Sequence, residues 1–228
     1  MAAAKPALLV VTGLAREAEI AVGEGVVTLC SGGNPVLLRE RLSTGKFRAI
    51  LSFGLCGGLA PHLQPGDLVI ASQVMVDADR HDTEAAWQER IASALGDKLR
   101  IHRGIIAGHD SVVTETTGKA SLHESTNALA VDMESHIAAD YARRHDLPFA
   151  AIRAVSDPAH RSLPDLAHRA LRPDGSVDLM GVIGGVVRRP AQLPALIAAG
   201  RDSGRAFASL RRVRGLLGPL FGLGGADL

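Results

Sequence analysis

The sequence has few of the features on which cross-linked, membrane-spanning or nucleic-acid-binding proteins depend. Only two cysteines, Cys30 and Cys56, occur in 228 residues, which argues against a disulfide framework and fits a reducing compartment. A formal net charge of +1 gives no electrostatic basis for nucleic-acid binding. No apolar run reaches the roughly 20 residues of a membrane-spanning helix. The first residues also lack the pattern of a secretion signal, so we expect a cytoplasmic protein.

Aromatic residues are scarce as well, at 3% of the chain. The interior must therefore be built from Ala, Val, Leu and Ile. Short apolar runs of these residues alternate with helix-like segments from residue 7 to residue 156. This alternation predicts an α/β domain with a mixed or largely parallel central sheet. The length fits one domain, with roughly 70% of the unfolded chain's surface buried.

Two carboxylates follow predicted strands within residues 130–158. Glu134 comes at the end of a short apolar run and opens a helix, and Asp157 follows the apolar run 149–155, which only Arg153 interrupts. Ligands of open α/β sheets bind beyond the carboxyl ends of the strands. We therefore expect Glu134 and Asp157 to face one crevice.

A third acidic candidate lies after the first predicted strand. That strand ends at Gly13, where a glycine lets a ligand approach the backbone closely. The helix that follows begins with Arg16, Glu17 and Glu19, all of them candidates for the same site. From local sequence alone, a solvent-exposed helix start is the simpler explanation of these three charges.

A glycine cluster follows the predicted strand 49–53. Gly54, Gly57 and Gly58 fall within five residues, and such a cluster lets backbone amides crowd around a sugar or an anion. The phosphate-binding loop with Gly-Lys-Ser/Thr is absent, and so is a GxGxxG motif opening a long helix. A plain turn is the alternative.

The composition changes after Asp157. Residues 160–175 are rich in Pro, Arg and His and are predicted to form a loop or lid. We assign residues 1–187 to the main α/β domain and residues 188–228 to a basic, amphipathic, helical extension. Its segment 191–220 either contacts an anionic membrane surface or packs on the domain or a second subunit.

Three segments together resemble the nucleoside phosphorylase/nucleosidase superfamily, and in particular the methylthioadenosine/S-adenosylhomocysteine nucleosidases. They are the region from Thr12 to Ile20, SFGLCGGLAPHLQPGD at 52–67, and VDMES…FAAIRAVSDP at 131–158. The resemblance implies a three-layer αβα fold with a mixed central β-sheet. It also implies an enzyme that cleaves a purine N-glycosidic bond and needs no metal or other cofactor.

A narrower resemblance extends over the whole chain. VTGLAREAEIA, LSFGLCGGL, AVDMESH, LRPDG and RRPAQLPAL…RDSGRAF resemble the hopanoid-biosynthesis-associated phosphorylases, or adenosylhopane nucleosidases. This resemblance implies release of adenine from adenosylhopane, a nucleoside with an apolar 5′ group. A peripheral position at the inner face of the membrane suits such a substrate. The superfamily resemblance also implies a homo-oligomer.

The resemblance assigns roles to the residues of the predicted crevice. Asp157, preceded by Ser156, is the acid that protonates or hydrogen-bonds N7 of the leaving base, a task that a raised pKa favours. Glu134 accepts hydrogen bonds from the ribose hydroxyls, while Met133 packs against the sugar. Further substrate contacts are expected at Asp132, Gly13, Gly54 and Gly57. Val112 stands where relatives that cleave adenine nucleosides often stack a phenylalanine on the base.

Glu19 matches the carboxylate that orients the attacking water, although an extra residue after Gly13 keeps Glu17 as the alternative.

The sequence also leaves two candidates for the nucleophile, water and phosphate. Leu55 replaces a small hydroxyl residue of the relatives, and no Arg lies near Ser52, so phosphate lacks ligands and water is favoured. Arg16 argues the other way, because phosphorolytic relatives have an arginine close to this position. Phosphate therefore stays a candidate co-substrate.

Overall fold

A computed structural model describes residues 8–43, 45, 47–164, 172, 174–176, 178 and 190–224. The strands are β1 (Leu8–Thr12), β2 (Val26–Cys30), β3 (Ala49–Gly58), β4 (Leu68–Val76), β5 (Asp79–Asp82), β6 (Ile101–Gly108), β7 (Ala130–Asp132) and β8 (Phe149–Asp157). The α-helices are α1 (Ala15–Ala21), α2 (Pro35–Leu42), α3 (Ala85–Leu95), α4 (Thr116–Thr126), α5 (Ser135–Arg144) and α6 (Leu193–Leu217). Short 3₁₀ turns cover Gly96–Lys98 and Pro190–Gln192.

The two faces of the sheet carry separate apolar cores, as side-chain alternation along a strand requires. In β1, Leu8 and Val10 join one core, which α3 and α6 cover. Leu9 and Val11 join the other core, which α2 and α5 cover. Because both faces are buried, the strand reads as a continuous apolar run in the sequence.

The described strands form one mixed sheet in the order β2-β1-β3-β7-β6-β4-β5, and β8 pairs with both β3 and β4. β8 runs parallel to β3 and antiparallel to β4, while β7 runs antiparallel to β3 and parallel to β6. The α/β fold with a mixed central sheet and flanking helices is therefore as predicted. The sequence did not predict that the sheet closes on itself. Five of its strands pair in a ring, in the order β3, β8, β4, β6 and β7.

The glycine cluster is not the loop that the sequence suggested. β3 continues through Gly54 and Gly57 to Gly58, pairing with β8 over most of its length and with β7 at its end. β-propensity argues against glycine inside a strand, but here side chains from other elements occupy the space where a Cβ would lie. Tertiary contacts therefore override the local turn signal.

Helix α6 belongs to the core that it covers. Phe207, Leu210 and Val213 are buried against β8, α1 and α3, and Ser209 Oγ donates to Gly66 O at 2.7 Å. Of the two alternatives for segment 191–220, packing on the domain holds for this part of the helix. The boundary at residue 187 stays a prediction.

Most of the predicted lid, 160–175, and the apolar stretch 177–187 lie outside the described residues. Among the helices that the structure does describe, none is long and apolar enough to cross a membrane.

Candidate active site

Four acidic side chains gather around the end of β3, and a buried arginine lies among them. Glu17 comes from α1, Asp132 from the end of β7, Glu134 from the N-cap of α5, and Asp157 from the end of β8. Asp132 and Glu134 reach this edge although β7 runs antiparallel to β3, because β7 pairs only with the last residues of β3. Three distant parts of the chain thus bring these side chains to one edge of the sheet.

Glu17 is buried, with 1% of its surface exposed, and its carboxylate accepts three backbone hydrogen bonds. Oε2 accepts from the amides of Gly13 and Leu14, and Oε1 accepts from the amide of Leu55, all at 2.8 Å. The carboxylate lies where a Cβ on Gly54 would stand, so this position requires glycine. Burial raises the pKa of Glu17 to about 7, against the effect of the nearby Arg153 cation. Glu17 therefore exchanges a proton near neutral pH.

Glu134 lies beside Gly13, just after the carboxyl end of β1. A Cβ on Gly13 would approach Glu134 Oε1 to 2.7 Å, so the absent side chain makes room for the carboxylate. Ser31 Oγ donates to Glu134 Oε1 at 3.0 Å, and Arg153 Nη1 contacts Oε2 at 3.3 Å. Burial raises the pKa of Glu134, and the Arg153 guanidinium opposes that rise.

Arg153 is a buried residue of this cluster that the sequence interpretation did not assign to the site. It is fully buried in β8, and its Nε lies 2.5 Å from Asp132 Oδ2. Its two terminal nitrogens donate to Ser52 Oγ at 2.5 Å and to Leu55 O at 3.3 Å. Burial lowers the pKa of this guanidinium, but the surrounding acidic groups, Asp132 and Glu134 first among them, together raise it above its ordinary value. The sequence did contain an indication of this role, because a single charged residue inside an apolar strand of the core requires buried partners of opposite charge.

Asp157 lies at the carboxyl end of β8, with 14% of its side chain exposed. Ser156 Oγ donates to Oδ1 at 2.8 Å, and Lys119 Nζ lies 2.7 Å from Oδ2. A Cβ on Gly57 would stand 3.2 Å from the same Oδ2, so Gly57 gives the carboxylate room. Burial raises the pKa of Asp157, and the Lys119 ammonium opposes the rise. Such a group suits an acid that must hold a proton before giving it up.

Glu19 and Arg16 do not reach this crevice, which corrects two of the sequence-based expectations. Both are exposed, and they line a surface groove between α1 and α6. Arg16 lies 4.4 Å from the centre of the Phe207 ring. Glu17 and Glu19 are two positions apart in a helix, a rotation of roughly 200°, so only one of them can face the sheet. Glu17 is the residue that faces the sheet. Its carboxylate accepts hydrogen bonds from the backbone amides of Gly13 and Leu14, just before α1, as the acidic residue of a capping box does.

The remaining predicted contacts are less sharply placed. Met133 is half-buried between Asp132 and Glu134, and Val112 is half-buried in the loop that follows β6. Their substrate contacts stay predictions. Within the described residues, no group of three or more His, Cys, Asp or Glu side chains is arranged to hold a metal ion.

A family model described as "Phosphorylase superfamily" matches residues 22–174, which is more than half of the chain. The chain belongs to the phosphorylase superfamily. This membership confirms the superfamily predicted from the three sequence segments, and with it the prediction of an enzyme. The match covers Asp132, Glu134, Arg153 and Asp157, while Glu17 lies before it.

Solved structures share the superfamily fold over nearly the whole chain. The 5′-methylthioadenosine/S-adenosylhomocysteine nucleosidase of Helicobacter pylori aligns with a TM-score of 0.65 at 15% identity, covering 92% of this chain and 98% of that chain. The Neisseria meningitidis nucleosidase of the same name, in complex with methylthio-immucillin-A, aligns at 0.59 and 20% identity, covering 90% and 98%. The futalosine hydrolase of H. pylori aligns at 0.61 and 16% identity, covering 90% and 96%. The predicted nucleoside phosphorylase-like fold is confirmed.

Proposed function

We propose that this crevice cleaves the N-glycosidic bond of an adenine nucleoside. The observation that carries the proposal is the meeting of Glu17, Glu134 and Asp157, which three separate segments bring to one sheet edge where glycines make room for them. Superfamily membership supports this reaction class, and so does the fold shared with nucleosidases.

Asp157 is assigned to the leaving base. Adenine leaves poorly as an anion, so N7 must receive a proton as the bond between C1′ and N9 breaks. The raised pKa of Asp157 lets a carboxyl group carry that proton closer to neutral pH than an ordinary aspartate does. Ser156, which donates to Oδ1, fixes the orientation of the carboxyl group.

Glu134 is assigned to the ribose. Its carboxylate is held by Ser31 and Arg153 and accepts hydrogen bonds from the 2′- and 3′-hydroxyls in this assignment. Met133, half-buried beside it, supplies apolar contact to the sugar. Asp132 acts through Arg153, which it neutralises and holds in place at 2.5 Å.

Water is the nucleophile that the charges favour, and Glu17 is the group that orients it. Asp132 and Glu134 already pair with the Arg153 guanidinium, and Glu17 lies near it as a third acidic group, so Arg153 is poorly placed to bind a phosphate dianion. Arg16, the residue that argued for phosphate, lies outside the crevice on Phe207. A base with a pKa of about 7 accepts a proton from water efficiently. Phosphorolysis is the alternative.

The substrate that we propose is adenosylhopane, in hopanoid biosynthesis. The support comes from the sequence resemblance over the whole chain, including LRPDG and the tail that forms α6. Methylthioadenosine or S-adenosylhomocysteine is the second candidate, because several structures with the same fold belong to nucleosidases for those compounds.

Adenine release from adenosylhopane in detergent, with and without phosphate, tests both the proposed substrate and the proposed nucleophile. We expect release without phosphate and free ribosylhopane as the sugar product, identified by mass. A ribose-1-phosphate product would establish phosphorolysis, and cleavage of methylthioadenosine alone would reject the hopanoid. Asp157→Asn should abolish release, whereas Asp97→Asn, at an exposed 3₁₀ turn, should leave it unchanged.

An apolar substrate suits a peripheral contact of α6 with anionic membrane. Leu193 and Ile197 are exposed by 44% and 47% and lie one turn apart, and exposed Arg201 and Arg205 continue along the same side. Sedimentation with phosphatidylglycerol vesicles tests the contact. Leu193→Ser with Ile197→Ser should weaken it, whereas Val36→Ser on α2 should not; equal binding by all three proteins would reject it.

We also propose a homo-oligomer. Val22, Val27 and Val36 are exposed by 65%, 38% and 70%, and they surround β2, the edge strand of the described sheet. An exposed edge with apolar neighbours favours association with a second copy. Sedimentation velocity at micromolar concentration tests this, and a single monomeric species would contradict it.

A further inference from the structure

The polar helix α4 contains one fully buried residue, and it is a lysine. Lys119 has no exposed surface. Lysine is almost never fully buried unless it is paired, because removing an ammonium group from water costs several kcal/mol. Four oxygen atoms surround its Nζ: Asp157 Oδ2 at 2.7 Å, Arg161 O at 3.0 Å, Pro158 O at 3.2 Å and Asp157 O at 3.3 Å.

This surrounding favours the charged form of Lys119. An ammonium group has three protons to donate and no acceptor, so four oxygens can use all three protons. A neutral amine would offer only two protons to the same oxygens. The four oxygens around Nζ therefore match the donors of an ammonium group, whose nearest partner is Asp157 Oδ2.

We propose that Lys119 is the positioning residue of the acid Asp157: it fixes Oδ2, turns Oδ1 toward the leaving base and stabilises the carboxylate that forms when the proton leaves. The inference rests on the proposed function, which makes Asp157 the acid. Three backbone carbonyls on the same Nζ also hold the segment 157–161 in place.

The proton balance explains why a cation belongs here. In the reaction, the Oδ–H bond of Asp157 breaks, a bond forms between the proton and N7, and the electron pair of the C1′–N9 bond moves into the purine. Asp157 then carries a negative charge in a nearly closed site. The ammonium 2.7 Å away compensates for that charge without moving, which is the arrangement that lowers a barrier most. Solvent returns the proton before the next turnover.

Other charged and titratable groups around Asp157 act more weakly or in the opposite direction. Asp202 on α6 raises the pKa of Asp157, but Arg161 and Arg205 pair with Asp202 and reduce its effect. Cys56 on β3 has a pKa well above its ordinary value because of burial, so it stays a neutral thiol. Lys119 is the cation in direct contact with the carboxylate.

The test replaces the charge and follows Asp157 directly. In protein labelled with ¹³C-aspartate, the Asp157 carboxyl signal is identified by its loss in Asp157→Asn and titrated. Lys119→Met should move its midpoint upward by about one to three pH units. The alkaline limb of kcat should move in the same direction, because the acid works only when protonated. The plateau kcat should fall at least tenfold, with KM changed less than threefold. Lys98→Met, at an exposed 3₁₀ turn, should change neither the Asp157 titration midpoint nor the kinetic constants.

The outcomes separate this inference from the proposed function. An unshifted Asp157 titration in a folded Lys119→Met protein overturns the positioning role and leaves Lys119 a structural clamp, whether or not the chain cleaves nucleosides. A shifted titration with no cleavage by the wild-type protein rejects the proposed function instead. If Lys119→Met does not fold, Lys119→Gln keeps a donor without the charge and undergoes the same titration.

Discussion

Two acidic residues of α1, Glu17 and Glu19, differ in burial: Glu17 is buried and Glu19 is exposed. We expect their roles to differ accordingly. With a pKa of about 7, Glu17 loses its capacity to accept a proton below neutral pH. We expect kcat/KM to fall about tenfold per pH unit below pH 7, and Glu17→Gln to lower kcat about 100-fold or more and to remove this limb. Initial rates of adenine release between pH 5 and pH 9 measure both. Glu19→Gln is the matched control, and a loss as large as that of Glu17→Gln would restore Glu19 as the base.

Arg153 is ion-paired with two buried carboxylates, Asp132 and Glu134, so its charge should be important for stability. Arg153→Met would leave Asp132 and Glu134 buried without a counter-ion, so we expect a loss of about 3 to 5 kcal/mol in the free energy of unfolding. Arg143→Met, at an exposed ion pair on α5, should cost no more than about 1 kcal/mol. Urea denaturation measures the difference, and similar losses in the two variants would contradict the role of Arg153.

The sequence identifies which residue types matter at this scale but not which way they point. Asp157 and Glu134 follow strands, so their position at a sheet edge could be predicted from local pattern. The choice between Glu17 and Glu19 depends on the first residue of α1, which the local sequence did not define. Lys119 could not be predicted at all, because its partners come from β8 and the segment after it, 38 to 42 residues along the chain.

At the scale of elements, α6 offers a direct comparison within one helix. Leu210 is fully buried in the core beneath α6, whereas Leu193 at its start is 44% exposed. We expect Leu210→Ala to lower the free energy of unfolding by about 2 to 5 kcal/mol and Leu193→Ala by less than about 0.5 kcal/mol. Thermal and urea denaturation measure both changes. Equal, small losses would mean that α6 is an appendage, as the predicted boundary at residue 187 implies.

The positions of most helices and strands could be predicted from apolar periodicity, but their pairing could not. β5 was missed because DRHD has no apolar pattern; it is a strand only because β4 offers an antiparallel edge. The ends of β3 and the direction of β7 are set by contacts with β8 and β6. These are long-range contacts, and local propensity does not encode them.

For the whole molecule, the buried carboxylates predict an uncommon dependence of stability on pH. The ordinary pKa of a glutamate is 4.5, and Glu17 has about 7 in the folded protein, so the folded state binds this proton more tightly. Its stabilising contribution is complete below about pH 4.5 and is lost as the pH rises through 7, a change of about 3 kcal/mol. Glu134 and Asp157, whose pKa values are also raised, act in the same direction.

Urea denaturation at pH 5 and pH 8, followed by the fluorescence of buried Trp87, measures this dependence. Glu17→Gln should reduce the difference between the two pH values, because a glutamine does not titrate. Glu19→Gln should leave the difference unchanged. A Glu17→Gln protein with the same difference between pH 5 and pH 8 as the wild type would contradict the raised pKa of Glu17.

The ring of strands described above also dictates the order of folding. β8 closes the ring by pairing with β3 and β4, and its residues lie 82 to 100 positions further along the chain than their partners. Closing so long a loop is slow, so β8 should join late. The same strand delivers Arg153 and Asp157. A chain still being synthesised therefore has open strand edges and lacks Asp157, the acid that we propose, and it completes the site only in the step that removes those aggregation-prone edges.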